Sequence, residues 1–336
     1  MRIHRERLTA ATVLLLVAIL LPGGGLVMAD DPHAEAGGGE GPGAAALAGE
    51  LRETVVHLAD DIGERHAVGE IEALHEAEAY LRDRLEAMGY EVDRQTYTAN
   101  GETVANLEVS LPGTSAGDQI VIVGAHYDTA RGSPGANDNA SAVAAVLALA
   151  RRFSGAEPER TIRFVLFTNE EPPFFQTEGM GSYVYARRSR ERGERIAGMI
   201  SLDTIGYYSD EPGSQDYPIP DDSAFPDTGE FIAFLANPAS AELLEKSLAA
   251  FRERADLPAE GAALPPAIPG VGWSDHWSFW QFDYPAIMLT DTAPYRYPHY
   301  HKATDTPDQV DYQAVAEVVR GMEAVVARLA GVESGR

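Results

Sequence analysis

The spacing of apolar and polar residues predicts a regular alternation of helices and strands from about Ala44 onward. Apolar residues recur every three or four positions in segments typical of amphipathic helices: 45–63, 70–90, 141–153, 181–192, 241–254 and 311–331. Alternating or continuously apolar runs predict strands: 90–98, 102–111, 119–126, 161–169, 196–203, 230–237 and 284–291. Strand 119–126 is almost wholly apolar, which is expected of a strand buried on both faces of a sheet, and 161–169 is predicted to be a second buried strand.

Strands that alternate with helices predict an α/β fold with three layers, α/β/α, around a mixed, mainly parallel central sheet. We expect residues 44–332 to form a single catalytic domain. One segment interrupts the pattern: residues 205–230 are rich in Pro and Gly and carry seven acids but no Lys or Arg. We expect this acidic loop insertion to stay solvated, although it could instead attract the free amine of a substrate.

Composition limits the chemistry that is open to this chain. It has 336 residues, 45% of them hydrophobic, which is enough for a packed core. There is no Cys, so any metal must bind His, Asp or Glu, a ligand set that suits zinc, cobalt or manganese. A formal net charge of −26 makes nucleic acid and anionic membrane surfaces poor partners.

The N-terminus has the pattern of an export signal. Three Arg residues precede an apolar run, and Val27-Met28-Ala29 offers small residues for cleavage. We therefore predict a signal peptide at 1–29, a flexible linker at 30–43 and a periplasmic or extracellular protein. The alternative is an uncleaved N-terminal membrane anchor.

The candidate chemistry lies where predicted strands end. Open α/β sheets bind ligands in the crevice outside the carboxyl ends of their strands. Residues of metal-binding type occupy these ends or the loops that follow: His126, Asp128, Asp138, Glu170, Glu171, Asp203 and His301. Taken singly, each residue is more often a helix cap, a turn residue or a solvated acid. Their shared location is what indicates a site.

These residues stand in motifs that resemble a known family. "GAHYDT", "GANDNASA", "NEE", "SLDTIG", "SDHWSF" and "HYHKATDTPD" occur in the order seen in zinc-dependent aminopeptidases of the bacterial leucyl aminopeptidase and aminopeptidase S type. Glutamate carboxypeptidase and glutaminyl cyclase are relatives of that family. The resemblance covers roughly residues 100–325 and implies the phosphorylase/hydrolase-like architecture of these zinc peptidases.

The resemblance implies a centre of two Zn²⁺ ions, which Co²⁺ or Mn²⁺ could replace. Asp138 would bridge both ions. His126 and Asp203 would complete one site, and Glu171 and His301 the other. A bridging carboxylate is chemically reasonable because it offers lone pairs on two oxygens. Five ligands with one shared leave positions open for water and substrate, as catalysis requires.

Further roles follow from the same resemblance. Glu170 would be the general base for a hydroxide held by the metals. Asp128 would orient the ring of the ligand His126. Tyr300 matches a Tyr that supports the oxyanion in some members of the family. Adjacent Glu side chains point in opposite directions along a strand, so we expect Pro172-Pro173 to turn the chain there.

Other positions near the motifs leave alternatives open. His299 competes with His301 as a ligand, and the motif that follows favours His301. Asp275 and His276 have family counterparts near the site, and we expect them to support it or line a pocket. The segment "PPFFQTEGMGS" is longer than the usual turn, and its Phe174 and Phe175 could line a pocket, close a lid or pack beneath the loop.

The leading functional hypothesis is an exported dizinc aminopeptidase that acts on peptides with a free N-terminus. A glutaminyl cyclase-like acyltransferase is the first alternative, favoured slightly by the long loop after the two Glu. A non-catalytic binding domain is the second alternative, although all five ligand positions are filled. A carboxypeptidase would need a basic cluster for the substrate carboxylate, and only scattered Arg residues are present.

Overall fold

The computed structural model describes residues 42–219 and 225–332. The predicted signal peptide at 1–29 and most of the predicted linker lie outside these residues. The first helix begins at Pro42, two residues inside the predicted linker. Proline is favoured at the first position of a helix because its missing N–H has no partner there.

The helices of the described part agree well with the apolar spacing. They are α1 Pro42–Val56, α2 Ile71–Ala87, α3 Ala142–Phe153, α4 Gly181–Glu191, α5 Ala241–Arg252, α6 His276–Trp280 and α7 Tyr312–Ala330. A π-helical turn, His57–Ile62, continues α1. Asp311 caps α7, since its carboxylate accepts the N–H groups of Gln313 and Ala314.

Eight described strands form one sheet. They are β1 Asp93–Ala99, β2 Glu102–Leu111, β3 Ala116–His126, β4 Arg160–Phe167, β5 Arg195–Leu202, β6 Ile232–Ala236, β7 Ala259–Ala263 and β8 Ala286–Thr290. Their order is β1-β2-β4-β3-β5-β8-β6-β7. The pairs β4–β3, β3–β5, β5–β8 and β6–β7 are parallel, and the other three are antiparallel. The prediction of a mixed, mainly parallel sheet is confirmed.

Both faces of the central strands are buried, which explains their continuous apolar sequence. In β3, Val121 and Val123 join a large core with helices α1, α2, α3, α5 and α7. Ile120 and Ile122 point the other way, into a smaller core with α4 and α6. The sheet is therefore the middle of three layers.

Two short elements are not predicted by the sequence pattern. Strand β7, "AEGAA", has neither β-branched nor aromatic residues and lies at the sheet edge. Helix α6 has only five residues, too few to show a helical repeat. In the part of the chain that the structure describes, no helix has both the length and the apolar character to span a bilayer.

Candidate metal centre and substrate cavity

The ends of β3 and β5 bring the first predicted ligand group together. Nε2 of His126 lies 3.4 Å from Oδ1 of Asp138 and 3.6 Å from Oδ2 of Asp203. All three side chains are buried. Asp138 arrives on the loop between β3 and α3, and the path of that loop needs glycine. Gly135 has φ +67°, and a Cβ there would lie 2.5 Å from the carbonyl oxygen of Asp138.

A second group shares Asp138. Nε2 of His301 lies 3.1 Å from Oδ2 of Asp138 and 3.1 Å from Oε1 of Glu171. The two carboxylate oxygens of Asp138 thus face two different histidines. Each group is compact enough to surround one ion, because its potential ligand atoms lie within 4.8 Å of one another. The structure therefore assembles all five residues expected to bind metal, and their ligand roles stay a prediction.

The donor atoms fit zinc. With Zn–N and Zn–O distances near 2.0–2.2 Å, the edge of a tetrahedron of ligands is about 3.3 Å. The separations of 3.1–3.6 Å within the two groups straddle that value. Oε1 of Glu171 is buried, and no described residue gives it a well-aligned hydrogen bond. Oε1 of Glu171 and Nε2 of His301 are therefore better placed to bind one cation together than to form a hydrogen bond.

The electrostatics also call for cations. Burial raises the pKa of Glu171 to about 7, and the neighbouring Asp138 adds to the effect. Burial likewise raises the pKa of Asp203. Burial opposes ionisation of Asp138 too, but contact with His126 and His301 outweighs it and lowers the pKa of that carboxyl. Crowded buried carboxylates of this kind are stable as anions only beside positive charge.

Glu170 belongs to neither group. Its Oε2 lies 4.0 Å from Nε2 of His126, at the margin of the first group. Burial raises the pKa of Glu170 well above its usual value, and the carboxylates of Glu171 and Asp203 add to the effect. A buried carboxylate with a raised pKa beside a metal site has the properties of a general base.

Asp128 contacts two parts of the site, and its predicted role in orienting the ring of His126 stays a prediction. Nδ1 of His126 is 3.2 Å from the backbone carbonyl of Asp128 and 3.6 Å from its carboxylate. The two carboxylate oxygens also accept the backbone N–H groups of Glu170 and Glu171, at 3.0 and 3.1 Å. Asp128 therefore fixes the backbone of the Glu pair. The chain already turns at Asn169, with φ +56°, before it reaches Pro172-Pro173.

The loop after β8 distinguishes the two candidate histidines. His301 reaches the centre, whereas Nδ1 of His299 lies 2.9 Å from the hydroxyl of Thr304, outside both groups. The ring of Tyr300 stacks on that of His301, with centroids 3.8 Å apart. Burial and the surrounding carboxylates raise the pKa of Tyr300, so its hydroxyl stays a hydrogen-bond donor.

Asp275 and His276 are fully buried beside the centre. Burial raises the pKa of Asp275 to about 7, and the nearby Asp203 carboxylate contributes. The Nε2 of His276 is 2.8 Å from the carbonyl of Val271, which lines the cavity described below. Burial lowers the pKa of His276 to about 4. Neither residue belongs to a ligand group, and their supporting role stays a prediction.

Sequence reasoning gave no role to Asp305, which holds the loop that carries Asp138. Its carboxylate accepts the backbone N–H groups of Asn137 and Asp138, at 2.8 and 3.1 Å, and the hydroxyl of Tyr297 at 2.6 Å. The available signal was its place within the "KATDTPD" motif after His301.

A cavity of about 130 Å³ opens beside the metal centre, with Asp203 and Tyr300 among its lining residues. Its floor is one face of strands β8, β6 and β7. Ala233 pairs with Thr290 and Glu260, and Leu235 pairs with Met288 and Ala262. The alternate residues of β6, such as Phe234, point into the main core instead.

Parts of the acidic segment 205–230 line this cavity, together with a second loop that includes Ile268, Val271 and Trp273. Wall residues are Gln215, Asp216, Tyr217, Pro218, Ile219, Phe225, Pro226, Ile268, Val271, Trp273 and Tyr295. Within segment 205–230, Phe225 stays 40% exposed, as expected of a solvated segment, whereas Gln215 is buried against the cavity.

Arg296 holds the wall in place. Its guanidinium donates to Oε1 of Gln215 at 2.8 Å and to the carbonyl of Phe231 at 2.7 Å, and it lies over the Phe231 ring. Phe174 and Phe175, which follow the Glu170–Glu171 pair, are not among the residues that line the cavity. Phe174 packs against the main core, and the neighbouring Gln176 donates to the carbonyl of Gly272.

A mixed α/β sheet with two His–carboxylate groups at its strand ends defines the class of an α/β metallohydrolase. Residues 106–326 match Peptidase family M28. The chain belongs to peptidase family M28, a zinc-dependent family of hydrolases.

The chain is also similar to individual proteins, and the two solved structures named here show the same fold. The chain is 39% identical over 282 residues to the uncharacterized protein YfbL of Escherichia coli (strain K12). This alignment covers 81% of this chain and 85% of YfbL. The zinc aminopeptidase BSAP from Bacillus subtilis shares the fold, with a TM-score of 0.69 at 15% identity, covering 86% of this chain and 96% of BSAP. The glutaminyl cyclase of Fimbriiglobus ruber also shares the fold, with a TM-score of 0.62 at 19% identity, covering 83% of this chain and 94% of the cyclase.

Proposed function

We propose that this protein is a dizinc aminopeptidase that removes large apolar residues from the N-termini of peptides. The observation that carries the proposal is the position of Asp138, whose two carboxylate oxygens face His126 and His301 separately. Two ions sharing one carboxylate suit hydrolysis of an amide, because each can stabilise a different oxygen in the reaction.

The five predicted ligands would hold the metals. Asp138, Glu171 and Asp203 supply three negative charges, and Glu170 supplies a fourth, which together balance two divalent cations. When bound, the zinc ions would activate water and polarise the carbonyl of the scissile bond. Co²⁺ or Mn²⁺ would serve with the same nitrogen and oxygen ligands.

The protein's own groups would move the protons. Glu170, which is free of both ligand groups, takes a proton from the attacking water and returns it to the leaving amine. Asp128 holds Glu170 in place through the backbone N–H. The hydroxyl of Tyr300 borders the cavity and donates a hydrogen bond to the oxyanion that forms at the substrate carbonyl.

The cavity would select the first residue of the substrate. A cavity of 150 Å³ lined by apolar side chains binds benzene, and this one is close to that size. Its floor extends about 7 Å along the strands, from the pair Ala233–Thr290 to the pair Leu235–Met288. A Phe, Leu or Met side chain would fill it while the α-amine stays among the carboxylates.

Peptides outside the cytoplasm would be the substrates. The proposal of export rests on the apolar N-terminal run with its preceding Arg residues and on Val27-Met28-Ala29 as the cleavage site. Retention by an uncleaved anchor would place the same active site at a membrane surface.

A glutaminyl cyclase-like activity is the second candidate. It is favoured by the long segment after Glu171. In that segment Gln176 donates a hydrogen bond to the carbonyl of Gly272, which lies in a loop that lines the cavity. Cyclisation needs only one zinc and no water as nucleophile. The shared position of Asp138 favours the two-metal hydrolase.

One experiment separates these functions. The chain from Asp30, loaded with zinc, is incubated with peptides that carry free Phe, Ala or Gln N-termini and with N-acetylated versions of the same peptides. We expect mass spectrometry to show stepwise loss of N-terminal residues from the free peptides only, fastest for Phe. Loss of ammonia from the Gln peptide without shortening would establish a cyclase. Release of C-terminal residues, or no reaction of zinc-loaded protein with any peptide, would contradict the proposal.

A further inference from the structure

Arg65 is an unusual buried cation close to the metal centre. It lies between α1 and α2, outside the residues that match the peptidase family, and its side chain is fully buried. The guanidinium donates only to backbone carbonyls, at 2.7–3.2 Å: those of Leu58, Gly63, Tyr127, Pro134 and Gly135. Two of these carbonyls, from Leu58 and Gly63, belong to the turn on which Arg65 itself is mounted.

The other three carbonyls lie between two predicted metal ligands. Tyr127 directly follows His126, while Pro134 and Gly135 shortly precede Asp138. The backbone of Arg65 adds two more bonds to the same stretch. Its N–H donates to Oγ1 of Thr129, and its carbonyl accepts the N–H of Thr129. Arg65 therefore forms hydrogen bonds with the start, middle and end of the loop that joins His126 to Asp138.

The charge of Arg65 suits this place. Burial lowers its pKa to about 10, although the carboxylates of Asp128, Asp305 and Asp138 oppose that change, so it stays protonated at neutral pH. A planar guanidinium presents five N–H donors in fixed directions, whereas a lysine ammonium has only three donors. The guanidinium can therefore reach carbonyls from two loops at once, which the three donors of a lysine cannot match.

We propose that Arg65 is a positioning residue for the metal centre, which sets the separation of His126 and Asp138 through the carbonyls of Tyr127, Pro134 and Gly135. The inference rests on the metal centre of the proposed function. It assigns a role in that centre to the N-terminal helical layer, which the family match does not include.

The test measures zinc affinity rather than activity. Zinc binding by the wild-type protein and by Arg65→Lys is measured in competition with a chromophoric chelator, and Co²⁺ is substituted to record the visible absorption of the site. Arg65→Lys keeps the charge but cannot replace all five hydrogen bonds. We expect zinc affinity to fall about 10- to 100-fold, the usual effect of losing a residue that orients metal ligands. We also expect the Co²⁺ spectrum to change.

Leu51→Ala is the matched control for stability. Leu51 is buried in α1, in the same layer, and its truncation destabilises the fold by leaving a cavity. We expect this variant to unfold at a lower temperature but to bind zinc as the wild type does. Equal zinc affinity in wild type and Arg65→Lys would overturn the inference, as would an equal loss of affinity in Leu51→Ala.

A milder variant covers the case in which Arg65→Lys does not fold. Thr129→Val removes the bond between Oγ1 of Thr129 and the N–H of Arg65 while it keeps the guanidinium. We expect zinc affinity to fall several-fold, and unchanged affinity would again overturn the inference. If the wild type itself binds no zinc, the metal centre and this inference both fail. If the wild type binds two zinc ions and the variants bind them with the same affinity, only the role of Arg65 fails.

Discussion

Oδ2 of Asp138 lies 3.1 Å from Nε2 of His301, although the two residues come from opposite ends of the catalytic fold. The other oxygen of the same carboxylate lies 3.4 Å from Nε2 of His126. No other carboxylate among the described residues belongs to both potential metal groups. Asp138 is therefore the residue on which a two-metal centre depends.

Replacing Asp138 by Asn should weaken both metal sites together. The amide keeps the shape of the side chain but loses the charge and one of the two oxygens. We expect the zinc content after dialysis, measured by mass spectrometry of the element, to fall for both ions. Asp118→Asn is the control, because Asp118 is exposed and distant from the centre in the sheet. Two zinc ions retained by Asp138→Asn would show that this carboxylate does not bridge.

Replacing Glu170 by Gln should separate proton transfer from metal binding. The amide occupies the same volume but cannot accept the proton of the water. We expect kcat to fall by about 10²- to 10⁴-fold, the usual contribution of a general base, while zinc content stays unchanged. A variant with full turnover would remove Glu170 from the mechanism. A variant that had also lost zinc would make it a ligand.

Replacing Ala233 by Leu should change substrate selection. The methyl group of Ala233 lies on the cavity floor near Thr290 and Glu260, and a larger side chain there takes the space of the substrate side chain. We expect kcat/KM for an N-terminal Phe to fall at least about 10-fold, since lost apolar contacts in a pocket cost 1–3 kcal/mol. The same variant should cleave an N-terminal Ala peptide as well as the wild type does. An equal loss for both peptides would contradict this assignment of the cavity.

His276 should make the folded state sensitive to acid. Its pKa is lowered by burial to about 4 in the folded protein, while an unfolded histidine titrates near 6.5. The unfolded chain therefore binds a proton first as the pH falls, so stability should decrease between pH 6.5 and 4 by up to about 3 kcal/mol. His276→Gln keeps a donor for the carbonyl of Val271 without this titration. Urea unfolding of both metal-free proteins across that range should show a steeper decline for the wild type, and parallel curves would refute this role.

The sequence predicted the parts of the site that follow from strand ends. His126, Asp203 and the Glu170–Glu171 pair each come directly after an apolar run, and parallel strands deliver their carboxyl ends to one edge. Family motifs then supplied the order and the distant partner His301. Local pattern and motif together were sufficient to bring these residues together, because His126, Asp203 and the Glu pair are placed by the ends of their own strands.

What could not be predicted depends on contacts between distant segments. Arg65 has no motif of its own, and its role is visible only when the carbonyls of Tyr127 and Gly135 lie beside it. The edge strand β7 forms because β6 offers a pairing edge, not because its small residues favour a strand. The contact of segment 205–230 with the cavity depends on such packing too, since its seven acids and lack of Lys or Arg indicate only a solvated loop.

Anomalous diffraction at the zinc absorption edge, from crystals of the zinc-loaded protein, tests the central claim most directly. The account predicts two peaks, one among His126, Asp138 and Asp203 and the other among Asp138, Glu171 and His301. A single peak would contradict the two-metal centre and favour the cyclase-like alternative. Peaks elsewhere would contradict the ligand assignment itself.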